Sequence, residues 1–138
     1  MTKVESKTVE IDSKAEKIFD FLTDFTNFSL LLPDKVENWK STKDKCSFTI
    51  KGLTDFGMKI SETTPYSSIL ITNDEDVKMP IKFTFNWIFS SLTDNKTKVT
   101  AVFNLDVNPM IAMMAKAPLK NFIDVLVDKL KEKIETDI

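Results

Sequence analysis

Residues 82–107 read KFTFNWIFSSLTDNKTKVTAVFNLDV, and this stretch decides the architecture. Phe83, Phe85, Trp87 and Phe89 alternate with Thr84, Asn86 and Ser90, so Lys82 to Ser91 is a strand with one apolar face. Thr93-Asp94-Asn95-Lys96 has the chemistry of a hairpin turn. The chain returns from Lys98 to Val107 with Val99, Ala101, Phe103, Leu105 and Val107 on one face, and with Lys98, Thr100, Asn104 and Asp106 on the other. Consecutive amphipathic strands of this kind are antiparallel neighbours in a sheet that keeps one side wet.

Directly after the hairpin the pattern becomes helical. Asn108-Pro109 places an N-cap before a proline at the first helical position, where its missing N–H costs nothing. The helix runs to about Thr136, with Leu119, Phe122, Ile123, Leu126, Leu130 and Ile134 as its apolar stripe. Lys120, Asp124, Asp128, Lys131 and Glu132 cover its other side. Pro118 lies inside it and predicts a kink or a division in two.

Upstream, residues 2–12 form an opening strand in which Val9 and Ile11 share a face and Val4 is out of phase, which predicts a bulge or an edge position. Asp12 or Ser13 caps the next helix, with Glu16 placed for a capping box. Ala15, Ile18, Phe19 and Leu22 form its buried face, and Asp24 ends it. A second short helix runs from Phe25 to Leu32 and stops at Pro33. Leu30, Leu31 and Leu32 are consecutive and cannot all face one side. Further strands follow at 35–41, 45–51, 56–63 and 67–72, then a charged loop at 73–80.

The 138 residues fit one domain, 1–138, without repeats or a linker. With 42% hydrophobic and 29% charged residues the chain can fill a core and stay soluble. An amphipathic sheet needs a cover and a one-striped helix needs a partner. The fold class is therefore α+β: a curved antiparallel seven-stranded sheet around a long C-terminal helix, in the order β-α-α-β6-α.

Composition excludes several chemistries. Histidine is absent, which removes Ser-His-Asp and Cys-His catalysis and most zinc and non-haem iron sites. No arginine occurs, so bidentate phosphate recognition is disfavoured. The net charge of −2 offers no footprint for nucleic acid. Cys46 is the only cysteine, which rules out an internal disulfide and fits a reducing, cytoplasmic setting. No signal peptide and no stretch long enough for stable membrane insertion is expected, and no cofactor or metal.

The order of elements resembles the START-like superfamily (SRPBCC, the Bet v 1-like helix-grip fold), as a small bacterial-type member. The resemblance rests on Val9-Glu10-Ile11-Asp12 running into Ala15-Glu16-Lys17-Ile18-Phe19-Asp20-Phe21-Leu22, on Leu32-Pro33 before the strand with Trp39, and on Asn108-Pro109-Met110. It covers nearly the whole chain. It implies a cavity between sheet and helix that takes lipids, sterols, hormones or polyketides, and some members are cyclases. The glycine-rich turn of the plant branch is missing, since Gly52 and Gly57 are the only glycines.

The expected lining is Phe48, Ile50, Met58, Ile60, Phe83, Phe85, Trp87, Phe103, Leu119, Phe122 and Leu126, with an ordinary packed core as the competing reading. Met110, Met113 and Met114 form either a mobile gate at the mouth or gap-filling packing. Glu62 and Tyr66 are the available polar anchors, Glu62 otherwise being a solvated strand end. The functional expectation is a binder of a hydrophobic or amphipathic small molecule, lipid-like or polyketide-like. A cyclase- or isomerase-like enzyme using Glu62, Tyr66 or an aspartate as acid or base is the alternative, and an interaction domain with a filled core is the third. The balance leans away from catalysis, and the oligomeric state is open.

Overall fold

The computed structural model of the chain describes residues 2–76 and 81–136. Strands β1 (Thr2–Glu5) and β2 (Val9–Ile11) come first, then helix α1 (Ala15–Leu22) and a 3-10 helix at Phe25–Leu30. Strands β3 (Val36–Ser41), β4 (Lys45–Ile50), β5 (Thr54–Thr64), β6 (Ser68–Asn73), β7 (Lys82–Thr93) and β8 (Lys96–Asp106) follow, and α2 (Pro109–Thr136) closes the chain. All pairings are antiparallel, in the order β1-β8-β7-β6-β5-β4-β3, with β2 also pairing β8. The eight segments thus occupy seven positions, because the opening strand is interrupted.

The interruption is a one-residue phase correction. Glu5 pairs Val102 and Val9 pairs Val99, so three residues on one side face two on the other. Ser6 fills the gap: its N–H donates to the Ala101 carbonyl at 2.8 Å, and its Oγ accepts from the Ala101 N–H at 2.9 Å. Val4 therefore shares the buried face with Val9 and Ile11, as its odd spacing required. Strand β3 has a similar correction between Glu37 and Lys40, where Asn38 takes φ 57°. Asparagine tolerates this left-handed geometry better than most residues. Val36 and Trp39 then both pack against the core.

The hairpin of β7 and β8 buries Phe83, Phe85, Trp87, Phe89, Val99, Ala101, Phe103 and Leu105. Each such large apolar side chain contributes about 1.5–3 kcal/mol on leaving water. Helix α2 lays Leu119, Phe122, Ile123, Leu126, Leu130 and Ile134 onto that face. Asn108 Oδ1 caps it by accepting the Ile111 N–H at 2.9 Å. Leu31 is buried, Leu32 half-buried and Leu30 exposed, which resolves the three-leucine run.

Several sequence expectations change. Helix α2 is continuous through Pro118 rather than divided. The proline leaves the Met114 carbonyl without its usual partner in a stretch where Met113 and Met114 are open to water. Lys14, not Asp12 or Ser13, is the N-cap of α1, and no side chain caps it. Helix α1 ends at Leu22, and Asp24 instead caps the 3-10 helix, accepting the Thr26 N–H at 2.9 Å and the Thr26 hydroxyl at 2.6 Å. Strand β6 runs through Asn73, and Asp74 is buried beside Lys45 at 3.7 Å rather than solvated. Residues 77–80 of the expected charged loop lie outside the described residues.

Candidate ligand site between sheet and helix

The inner face of the sheet carries a closed circuit of aromatic rings. Starting from the 3-10 helix, Phe28 stacks on Trp39 of β3 at 6.3 Å between ring centroids, and Trp39 meets Phe48 of β4 at 5.6 Å. Phe48 stacks on Phe56 of β5 at 5.5 Å, and Phe56 meets Phe83 of β7 edge-on at 5.6 Å. The path crosses to Phe103 of β8 at 5.4 Å, then to Phe85 at 4.5 Å and Trp87 at 5.4 Å. Trp87 closes it on Phe28 at 6.2 Å. From above, Phe122 of α2 bridges the ring, 5.5 Å from Phe48 and 6.4 Å from Phe103. Such spacings are those of favourable edge-to-face and offset pairs.

Every ring in this circuit is hydrocarbon except for two indole N–H groups. The Nε1 atoms of Trp39 and Trp87 are buried and have no hydrogen-bond partner among the described residues. Trp87 has no exposed surface at all. Trp39 is partly buried, being on the edge strand.

A concavity borders this interior on the side of α2. It measures about 240 Å³ and lies where the start of β3, the β4–β5 turn and the middle of α2 meet. Pro33, Val36 and Pro118 form its walls, and Ile50 and Phe122 are the core residues among its lining. Gly52 turns the chain at φ 86°, a conformation that favours glycine. Lys35, Lys51 and Asn121 form the polar rim, with the Lys51 N–H donating to the Lys35 carbonyl at 2.8 Å. Neither lysine has an ion-pair partner among the described residues. A larger groove of about 820 Å³ runs past α1 and the end of α2. Its walls are mainly charged side chains such as Asp12, Lys14, Glu16 and Glu135, and none of the aromatic circuit lines it.

The expected lining residues separate into two groups. Phe48, Phe83, Phe85, Trp87, Phe103 and Phe122 are members of the circuit, while Ile50, Met58, Leu119 and Leu126 are buried in the same cluster and Ile60 packs against it. Met110, Met113 and Met114 are 73%, 80% and 68% exposed, so they neither line the interior nor fill gaps in it. Glu62 is exposed beyond the β5 irregularity between Ile60 and Glu62. Tyr66 sits in the β5–β6 turn at φ 64° with its ring edge on Phe19, outside the circuit. Phe28, Trp39, Phe56 and the rim lysines are additions to the expected set. The Phe25–Phe28 spacing of three was the available signal for Phe28, because a 3-10 helix repeats every three residues.

Among the described residues the buried polar and charged ones are Ser6, Asp74 and Thr97, none of which belongs to the aromatic circuit. Among the described residues no cluster of three or more Asp, Glu, His or Cys is placed to hold a metal ion. Burial pushes the Cys46 thiol far above its ordinary pKa, so it is a poor nucleophile at neutral pH.

Neither the protein-family models nor the curated proteins give a match to this sequence. Solved structures do. A START superfamily protein from Mycobacterium smegmatis superposes with a TM-score of 0.70 at 17% identity, covering 99% of both chains. The di-domain ARO/CYC BexL of the BE-7585A biosynthetic pathway gives 0.70 at 17% identity over 98% of this chain and 47% of its own. Aha1 from Colwellia psychrerythraea, solved as a dimer, gives 0.67 at 15% identity over 98% and 97%. The chain has the START-like helix-grip fold: a curved antiparallel sheet holding a long C-terminal helix.

Proposed function

We propose that this protein is a single-domain, cytoplasmic binding module for a hydrophobic or amphipathic small molecule held between sheet and helix. The observation that carries the reading is the position of the 240 Å³ concavity. Its apolar lining includes Phe122 and Ile50, which also belong to the core behind it. A ligand entering there needs only to displace the Phe122 ring to meet Phe48 and Phe103. Lys35 and Lys51 at the rim suit a polar or anionic end left in water. Pockets of this construction, apolar with a few polar groups, are the usual form of small-molecule sites. No helix among the described residues is long and apolar enough to cross a membrane. The START superfamily neighbour supports the binding reading by its fold.

The cyclase-like alternative draws less support, since Glu62 and Tyr66 are exposed and the buried Asp74 lies beside Lys45 at 3.7 Å, away from the aromatic rings. The filled-core alternative draws on a specific observation, the ring-to-ring packing of the interior, and on the likeness to Aha1. Native mass spectrometry of protein purified from its own source separates the two. A reproducible co-purifying mass of lipid or polyketide size is the expected result. Repeated preparations without one, and no binding of apolar probes, would leave the filled core.

A further inference from the structure

We infer that Trp39 and Trp87 form a recognition pair for a neutral carbonyl oxygen on the apolar part of the ligand. This rests on the binding reading above and names the chemistry that the interior selects. An indole Nε1–H is a donor only, and its burial without an acceptor costs stability. Two such donors lie unpartnered in the same aromatic shell, and Phe28 is in ring contact with both indoles, at 6.3 and 6.2 Å. Packing accounts for the size of the two indole rings, and leaves the cost of their unmet N–H groups uncompensated.

The surroundings decide which acceptor fits. The rings in contact with the two indoles, Phe28, Phe48 and Phe85, are hydrocarbon, and the buried polar or charged residues among the described residues are Ser6, Asp74 and Thr97. A carboxylate placed there would be an unpaired buried charge, which is far costlier than a buried neutral group. An amine would oppose donor to donor. A hydroxyl would bring a proton of its own into a shell whose side chains offer no acceptor. A ketone or ester carbonyl has two lone pairs and no proton, and so satisfies indole donors without adding a new unmet group. The ring contacts run from the mouth to the indole: Phe122 touches Phe48, and Phe48 touches Trp39, so a ligand would advance by displacing these rings. Phe28 is the side chain that the carbonyl end replaces, and it is carried on a short 3-10 helix rather than on the sheet.

The test uses the full chain labelled with nitrogen-15, whose two tryptophans give two indole N–H signals. Methyl nonyl ketone and methyl naphthyl ketone are each titrated against the analogue in which C=CH2 replaces C=O. Hydrophobicity alone ranks the hydrocarbon first. The proposal expects the ketone of at least one pair to bind about tenfold tighter and to shift both indole signals downfield. Hydrocarbons that bind as tightly as the ketones, with the indole signals unmoved, overturn the carbonyl pair and leave the binding module standing. Failure of all four probes to bind overturns both.

A second arm replaces both tryptophans with benzothienylalanine, which keeps the ring shape and puts sulfur in place of N–H. The ketone preference should vanish while the ligand-free melting temperature stays the same or rises. A fall in melting temperature would mean that the N–H groups already have partners, and the proposal would fail.

Discussion

At one edge of the sheet Val4 and Val9 lie five residues apart and still share the inner face; at the other, Val36 and Trp39 lie three apart and do the same. Both edges absorb one extra residue, by different means. The β1–β2 edge uses the Ser6 side chain and is then tied down by α2. Asp124 accepts the Lys7 N–H at 2.9 Å and Glu135 the Asp12 N–H at 2.9 Å. Lys120 and Lys131 donate to the carbonyls of Glu5 and Glu10 at 2.8 and 2.6 Å, and Lys7 pairs with Asp128. The β3 edge uses a left-handed Asn38, and among the described residues α2 sends it no hydrogen bond. Lys129 reaches only the Leu32 carbonyl before β3, at 2.9 Å. Ring contacts hold Trp39. One edge is therefore fastened to α2 by directional bonds and the other by ring contacts, and the concavity and the Trp39 indole are at the second, while Trp87 lies on the interior strand β7.

The largest effect tests whether the interior behind the loose edge is packed at all. Trp87→Ala should lower stability by about 3–5 kcal/mol in urea unfolding, because the side chain is fully buried. A near-neutral result would mean that the rings enclose a void, and the contrast between edges would extend to the core itself. On the fastened edge, Ser6→Ala strands the buried Ala101 N–H, and a loss of about 2 kcal/mol is expected. Hydrogen exchange in that variant should speed up around Lys7 and Ala101 while β4 amides keep their protection.

Acid should weaken the β1–β2 edge and the 3-10 helix, since each has a carboxylate held below its ordinary pKa. For Glu135 the chief cause is the hydrogen bond from Lys131, followed by that from the Asp12 N–H; for Asp24 it is the Thr26 hydroxyl. A depressed folded pKa stabilises fully above the ordinary values of 4.5 and 3.8 and loses that contribution as pH falls through the lower folded value. Glu135→Gln and Asp24→Asn should each flatten the acid limb of a stability–pH curve, and an unchanged limb would remove the contribution. The smallest effect concerns Cys46, next to the sheet interior. A thiol reagent at neutral pH should leave it intact in the folded protein and modify it on unfolding; rapid native labelling would show that this side opens far more than the packing implies.

Periodicity made the fold legible, because strands with Phe83-Phe85-Trp87 spacing and a helix with Leu119-Phe122-Leu126 spacing have few ways to hide their apolar faces. The out-of-phase Val4 even announced its bulge. The candidate site was legible only as a set of inward residues. Periodicity records which face is buried and says nothing of hydrogen-bond partners, so the unmet donors of Trp39 and Trp87 were invisible. Likewise Lys120, Asp124 and Lys131 read as a solvated face, although they fasten β1 and β2, because a polar pattern looks the same whether water or a neighbouring backbone satisfies it. Met110, Met113 and Met114, read as a gate at the mouth or as gap-filling packing, lie on the outer side of a turn whose Ala112 and Ala115 are buried, so apolar character alone did not tell which side of the helix faces the sheet.

The interruption at Ser6 also bears on how the chain length can vary. Removing Lys7 would let the strand pair without a break, and Val4, Glu5, Val9 and Ile11 would keep the partners on β8 that they have now. Only the tether from Lys7 to Asp124 and Asp128 would be lost. A deletion one residue earlier or later within this short segment has the same outcome, whereas one inside the β7–β8 hairpin would turn a row of aromatic side chains outward. A relative one residue shorter can therefore lose that residue here, or at the matching irregularity of β3 between Glu37 and Lys40, and keep the alignment of the other strands.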